Sequence, residues 1–449
     1  MAHHQPAAPR RNRLTLYIFI ALAAGIALGF LLNRQYISGY KEAIGALDRL
    51  QSGNPANAAS VAAEKSALQL RMDEVTDPFS LVADIFLKLI KMIVAPLVFT
   101  TLVVGVAKLG DIKSVGRIGG KSLLWFFCAS FLSLALGMFW VNFFEPGAQM
   151  HLPLPGEHAV VDLQKSAFSL RNFLGHVFTA SIIDSFARNE ILQIVVFSLL
   201  FGTAAAALGE RAQGVIHFFE VLSEIILKIT GYIMNIAPLA VFCAMTAVIA
   251  KQGVGILKTY SLFIGEFYLG LGSLWLVLLL IAFLFLGKKV FALMRRMKDP
   301  ALLAFSTSSS EAAFPKMMIE LERFGCGKKI VSFVLPLGYS FNLDGSMMYM
   351  TFAAMFIAQS YGMHLPLATQ FSMLMVLMLT SKGIAGVPRA SLVVIAGALG
   401  TFHIPEAGLA LLLGIDPILD MGRSATNVVG NSIATSVISK WEGDLGHEA

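Results

Sequence analysis

The chain has 449 residues, of which 56% are hydrophobic and only 14% charged, with a formal net charge of +6. A soluble chain carries about 25% charged residues, so the composition excludes an ordinary soluble domain and points to a surface that faces lipid. The basic balance calls for no nucleic acid, because Lys and Arg concentrate in the cytoplasmic loops of membrane proteins, and Cys128, Cys243 and Cys326 give neither a disulfide framework nor a metal-ligand spacing.

Residues 1–13 are polar with Arg10, Arg11 and Arg13, and read as a cytoplasmic tail. The apolar run 14–32 is too long for the core of a secretory signal and predicts a first transmembrane helix. Residues 34–78 are mixed in charge and read as a flexible loop on the outer side. Leu81–Leu109 predicts a second span, and the following Lys108, Lys113, Arg117 and Lys121 place that connection inside. A third span covers Ser122–Phe144. Residues 145–185, with Pro146, Pro153 and Pro155, read as irregular and external. Apolar runs at 191–208, 217–250 and 260–287 predict spans four, five and six. The sixth ends at Lys288, Lys289, Arg295, Arg296 and Lys298, the most basic short loop and again cytoplasmic.

The last third breaks this pattern. Residues 301–319 are interrupted by a serine cluster and Pro315, and residues 371–399 are apolar on both sides of SKGIAGVPRAS. Pro and Gly at the centre of a span break the backbone ladder, so each reads as two short helices meeting at a tip. Between them, Val331–Ala358 is interrupted by Gly338, Asn342, Asp344 and Gly345. Paired interrupted segments in corresponding positions point to a transporter's midplane site.

The stretch Asp416–Lys440 is otherwise apolar enough to sit in a bilayer, yet Asp416, Asp420, Arg423, Asn427 and Asn431 recur at steps of four, three, four and four. At 3.6 residues per turn all five share one helix face. Charged groups at membrane depth face a protein interior or a watery cavity and mark a solute path. The plainer reading is a self-satisfied polar seam in which Asp420 and Arg423 pair at i,i+3. Half-helix ends at a hairpin tip attract a carboxylate, and Ser306–Ser310 add hydroxyls there. The unwound backbone around Asn342–Gly345 frees carbonyls for a hard cation, whose charge Asp344 balances. Asp420 suits an ammonium and Arg423 a carboxylate. A ligand with one ammonium and two carboxylates is an acidic amino acid; the alternative is a plain dicarboxylate with one carboxyl on Arg423, which would not need the ammonium partner that Asp420 offers.

STSSSEAAFP, SFNLDGS, SKGIAGVP and LDMGRSATNVVGN resemble the signature segments of the dicarboxylate/amino acid:cation symporters, the glutamate transporter family. The resemblance covers residues 14–441 and is strongest from 301 onward. It implies an all-α polytopic membrane protein of eight transmembrane helices plus two re-entrant helical hairpins, built from inverted repeats. Scaffold elements would lie mainly within 14–250 and a transport-domain core within 301–441, with 442–449 a cytoplasmic tail. It also implies a homotrimer in the inner or plasma membrane, both termini cytoplasmic, with the transport domain moving like a lift. Substrate candidates are Ser308, Ser309, Ser310 and Ser346, then Gly386, Val387 and Pro388 at the second tip, which acts as outer gate. Asp420 would take the amino group, Arg423 the side-chain carboxylate, and Ser424 with Asn427 the main-chain carboxylate. Cation candidates are Gly338, Ser340, Asn342, Asp344, Ser381, Asn427 and Asn431, with sodium at Asn342, Asp344 and Asn427. No cofactor other than the coupling cation is implied.

The chain departs from the sodium-coupled archaeal pattern. Asn431 stands where that pattern has an aspartate, Phe126 and Ala129 replace a tyrosine and a threonine near the retained Ser130, and Leu343 replaces a methionine. Each change removes a ligand or a charge, which favours protons as the coupling ion, with Glu311, Asp344 and Asp416 as carriers. A carboxyl desolvated at the first hairpin tip takes up a proton readily; the plainer reading of Glu311 is a tip residue reaching water. Lys382 and Arg389 read as snorkelling to an interface, and Trp125, Trp140, Trp275 and Trp441 as interface or packing residues. Rival readings are a C4-dicarboxylate carrier, a passive channel, and an intramembrane aspartyl protease built on Asp344 and Asp420. FNLDGS and LDMGR lack the usual protease setting, and Arg423 three residues from Asp420 disfavours the shared proton of such a dyad.

Overall fold

The computed structural model describes residues 13–53, 58–109, 112–150, 177–381, 390–413 and 415–446. Among them there is no sheet, only an isolated bridge between Cys326 and Leu445. The main helices are α1 (Arg13–Leu32), α2 (Ser38–Gly53), α3 (Ala58–Leu109), α4 (Ile112–Phe144), α5 (Ile191–Leu208), α6 (Gln213–Met234), α7 (Ala237–Thr259), α8 (Ser261–Leu286), α9 (Lys289–Thr307), α10 (Ser310–Phe324), α11 (Lys328–Phe341), α12 (Asp344–Ser360), α13 (Leu367–Thr380), α14 (Ala390–Thr401) and α15 (Asp416–Trp441). Among the described residues, five helical stretches are long and apolar enough to cross a membrane, and α7, α13 and α14 add shorter apolar helices. The protein is an all-α membrane protein.

Two expectations fail here. The described residues 34–53 and 58–78 are not a loop: a π turn over Asn33–Ile37 leads into α2, and α3 starts at Ala58. The stretch ASVAAEKSALQLRMDE is rich in strong helix formers, and mixed charge did not mark it as irregular. At 1.5 Å per residue, the 52 residues of α3 extend about 78 Å, more than twice the roughly 30 Å hydrocarbon core. The run 217–250 is likewise not one span. It divides between α6 and α7 at Asn235–Ile236, because Pro238 has no N–H for the preceding turn and fits the first turn of a new helix.

By contacts the chain forms two compact units: the described residues up to Phe86 together with Tyr232–Val254, and those of Leu87–Gly231 with the rest from Gly255. In the first, α1 meets α7 through Gly25 and Gly29. A Cβ on either would fall 2.6–2.8 Å from backbone or side chain of α7, so this small-xxx-small pair lets the backbones touch. Asn33 Nδ2 donates to the Ala250 carbonyl at 2.7 Å in the same unit.

The second unit centres on α15, whose residues 421–439 are all buried. α8 runs beside it in the same direction. Tyr268 donates to the Ile418 carbonyl (2.6 Å), Trp275 Nε1 to Thr426 Oγ1 (2.9 Å), and Lys440 to the Phe285 carbonyl. Trp125, Phe285 and Trp441 form an aromatic cluster at the far end. The tryptophans are thus packing residues, Trp140 included, since its Nε1 donates to Ser273 Oγ at 2.7 Å.

Candidate functional site

The expected break in residues 301–319 is present, but the serines make it and Pro315 does not. α9 ends at Thr307, Ser308 turns into the left-handed region (φ 49°), and extended Ser309 caps α10 by accepting from the Ala312 N–H at 3.3 Å. Pro315 sits inside α10. Two packed helices result, meeting at a serine tip. The tip is held from two sides: Ser308 Oγ donates to the Pro417 carbonyl of α15 (3.3 Å), and Tyr339 of α11 donates to the Ser310 carbonyl (2.6 Å). Glu311 lies half-buried in the first turn of α10.

The second interruption is also present. α11 ends at Phe341, Asn342 and Leu343 are non-helical, and α12 starts at Asp344. Asp344 is fully buried. Its carboxylate accepts from the Ser133 hydroxyl of α4 (3.2 Å) and from Asn342 Nδ2 (3.1 Å), both neutral donors. Asn342 Nδ2 also reaches Asn431 Oδ1 at 3.3 Å. Among the described residues, Asn342 Oδ1 and Ser340 Oγ are buried without a hydrogen-bond partner, as is Asn431 Nδ2. Unpaired buried polar atoms are rare and costly, and acceptors of this kind suit a desolvated cation. Two glycines allow the close approach: a Cβ on Gly338 would fall 2.2 Å from Asn431 Oδ1, and one on Gly430 would fall 1.8 Å from Asp344 Oδ2.

Asn427 joins this cluster to the start of α12. Its Oδ1 accepts from Gly345 N (2.9 Å) and Ser346 N (3.4 Å), and its Nδ2 donates to Ser346 Oγ (3.2 Å). One turn earlier, Arg423 is almost wholly buried. Its Nη2 lies 3.0 Å from both Asp416 Oδ1 and Asp420 Oδ1, and its Cζ sits 4.0 Å above the Tyr349 ring. Among the described residues, Nε and Nη1 have no hydrogen-bond partner. The Asp420 side chain is 37% exposed, against 5% for Asp416. A buried guanidinium with spare donors therefore stands beside an accessible carboxylate, an arrangement able to hold a ligand that carries both charges. Ser424 is buried next to Arg423.

Ser381 stands apart from this cluster in its bonding: buried at the end of α13, it donates back to the Met378 carbonyl (3.0 Å). Gly386, Val387 and Pro388, with Lys382 and Arg389, lie outside the described residues. Sequence reasoning missed Ser133, Tyr349 and Gly430. Ser133 follows the retained Ser130 at i+3 on the same face of α4, which is a usable signal. Tyr349 lies in an apolar run and gives none.

The model of the sodium:dicarboxylate symporter family matches residues 14–441. The chain belongs to this family. It is 42% identical over 373 residues to the proton/sodium-glutamate symport protein of Geobacillus stearothermophilus, covering 82% of this chain and 88% of that protein. It is also 39% identical over 366 residues to the C4-dicarboxylate transport protein of Bacillus subtilis, covering 81% and 87%, and 42% identical over 368 residues to that of Laribacter hongkongensis, covering 81% and 83%. As a member of this family the protein is a cation-coupled symporter of acidic solutes and not an enzyme, so the protease reading falls.

Proposed function

We propose that the protein takes up acidic amino acids, glutamate or aspartate, with protons as the main coupling ion and sodium at most a partial contributor. The observation that carries the substrate assignment is the pairing of Arg423, whose Nε and Nη1 have no partner among the described residues, with the accessible Asp420 carboxylate. A dicarboxylate needs cations only; an amino acid also needs an anion for its ammonium. Relatives named for both substrates match this chain, and Asp420 favours the glutamate reading. In the proposed role Arg423 grips the side-chain carboxylate, Asp420 the ammonium, and Ser424, Asn427 and the serine tip the main-chain carboxylate. Asn342, Asp344 and Asn427 form the cation region, and Glu311, Asp344 and Asp416 are the proton carriers.

The reading includes eight transmembrane helices and two re-entrant hairpins, formed by α9–α10 and α13–α14. The second hairpin's tip at 386–388 serves as outer gate. A homotrimer in the inner or plasma membrane, with both termini cytoplasmic, carries substrate by a lift-like motion of the core from 301 to 441 against a scaffold. Competition of labelled aspartate uptake by glutamate, aspartate, succinate and fumarate tests the substrate. Strong uptake of succinate with poor uptake of aspartate transfers the assignment to C4-dicarboxylates. Uptake into proteoliposomes under a pH gradient without sodium, then under a sodium gradient at clamped pH, tests the ion. Strict sodium dependence overturns the proton assignment.

A further inference from the structure

Glu266 is a buried acid outside the site just described. It is in the second turn of α8, inside an otherwise apolar membrane-crossing helix, and is 8% exposed. Its Oε2 has no hydrogen-bond partner among the described residues. Helix geometry says what it faces, since Phe263 and Gly270 share its side of α8 at i−3 and i+4. The Phe263 ring packs against Phe352 and Phe356 of α12, and Gly270 abuts Met348 of α12 and Trp140 of α4. Glu266 therefore points toward an aromatic and aliphatic layer. It faces away from α15, which Tyr268 contacts from the opposite side.

Charged groups on the surrounding helices do not offset it. α15 brings Asp416, Asp420 and Arg423, which pair with one another, and Lys440 at its far end. α12 brings Asp344, held by Ser133 and Asn342. α4 brings Lys113, Arg117 and Lys121 at its opposite end, with Arg117 and Lys121 on Glu442. α9 brings Lys289, Arg295, Arg296, Lys298 and Asp299. A carboxylate held there has neither a counter-charge nor a full set of donors, a costly arrangement at membrane depth. Sodium requires several oxygen ligands, which the Phe263, Met348 and Trp140 surroundings do not supply. A proton requires one lone pair.

We infer that Glu266 is a proton-binding site of the transport cycle, separate from the substrate and cation cluster, that takes up and releases one of the symported protons. The inference rests on the proton-coupled reading above. The experiment uses the full-length protein in proteoliposomes with labelled aspartate, comparing wild type with Glu266→Gln and Glu266→Asp. Each pH unit supports about a tenfold accumulation per proton carried, so Glu266→Gln loses about tenfold of the accumulation driven by a one-unit gradient. Its aspartate–aspartate exchange, which needs no net proton movement, stays near wild type, and Glu266→Asp restores driven uptake. In the native protein, infrared difference spectra across a pH titration contain a protonated-carboxyl band that Glu266→Gln removes. Wild-type accumulation retained in Glu266→Gln, or no band assignable to Glu266, overturns the inference while leaving proton coupling intact. No response of the wild type to a pH gradient overturns both.

Discussion

Replacing Arg423 by Cys separates the two things this guanidinium does. In the folded chain it lies 3.0 Å from Asp416 and 3.0 Å from Asp420, over the Tyr349 ring. Asp416 is buried, and losing its partner leaves an uncompensated charge, worth roughly 3–5 kcal/mol of stability. The substrate carboxylate loses its own partner in the proposed complex, at about 2–5 kcal/mol, or roughly 30-fold to several-thousand-fold in affinity. Arg423→Cys is therefore expected to lower both the unfolding temperature and aspartate affinity, with small neutral amino acids gaining access. Arg423→Cys combined with Asp416→Asn removes the stranded charge and recovers part of the stability, but not the affinity. The assay is equilibrium binding of labelled aspartate to purified protein, alongside a thermal unfolding scan of each variant. Unchanged aspartate affinity in Arg423→Cys refutes the assignment. Recovery of affinity in the double variant shows that the loss came from Asp416.

Asp420→Asn is expected to abolish aspartate uptake while succinate or fumarate still binds, because only the ammonium loses its partner; equal loss of both classes in a competition assay contradicts this. Gly338→Ala places a Cβ 2.2 Å from Asn431 Oδ1. It should cost about 1–3 kcal/mol by overpacking, seen as a lower unfolding temperature and a weakened response to the coupling cation. Glu442 is desolvated just beyond α15, but hydrogen bonds from Arg117 and Lys121 outweigh that and hold its carboxyl below the ordinary value. A lowered folded-state value means stability present above the unfolded carboxylate range and lost as pH falls through the folded one. Glu442→Gln should thus be less stable than wild type near neutral pH, by about 0.2–1 kcal/mol for such a partly exposed pair, and the gap should close in acid. A gap that widens on acidification reverses the sign and refutes it.

How much of this was legible in the sequence depended on whether one residue type dictated the local backbone. The turn at Ser308–Ser309 and the break at Asn342–Leu343 were readable, because hydroxyl and carboxamide side chains compete with the helix ladder. The stripe of α15 was readable because its acids, arginine and carboxamides recur with helical period. Its internal pairing was not. Asp416 and Asp420 both satisfy the face rule, and only the fold shows that the i,i+7 acid is buried on Arg423 while the i,i+3 acid keeps its access. The helical character of 34–53 and 58–78 was hidden by reading mixed charge as a loop, although the alanines and leucines there argue for helix. Glu266 was overlooked in LFIGEFYLG, where a lone acid in an apolar run was the available signal.

The last consequence concerns how a cation comes to govern substrate affinity on the proposed reading. Asp344 opens α12, and the next two backbone N–H groups, of Gly345 and Ser346, are held by Asn427 Oδ1 of α15. Asn427 is one turn from Arg423, so the acid that faces the cation and the arginine that faces the substrate are fastened through one carboxamide. A shift of α12 that accompanies neutralisation of Asp344 is transmitted to the turn of α15 that bears Arg423. Coupling between two ligands is reciprocal and typically amounts to about 1–3 kcal/mol, or roughly 5- to 150-fold in affinity. Raising the coupling cation should therefore tighten aspartate by the same factor by which aspartate tightens the cation. Asn427→Ala also removes a proposed substrate contact, so its affinity falls at every cation concentration. The informative quantity is the ratio between saturating and limiting cation, which should shrink toward one in that variant. A ratio unchanged from wild type, with affinity merely offset, places the linkage elsewhere than in this carboxamide.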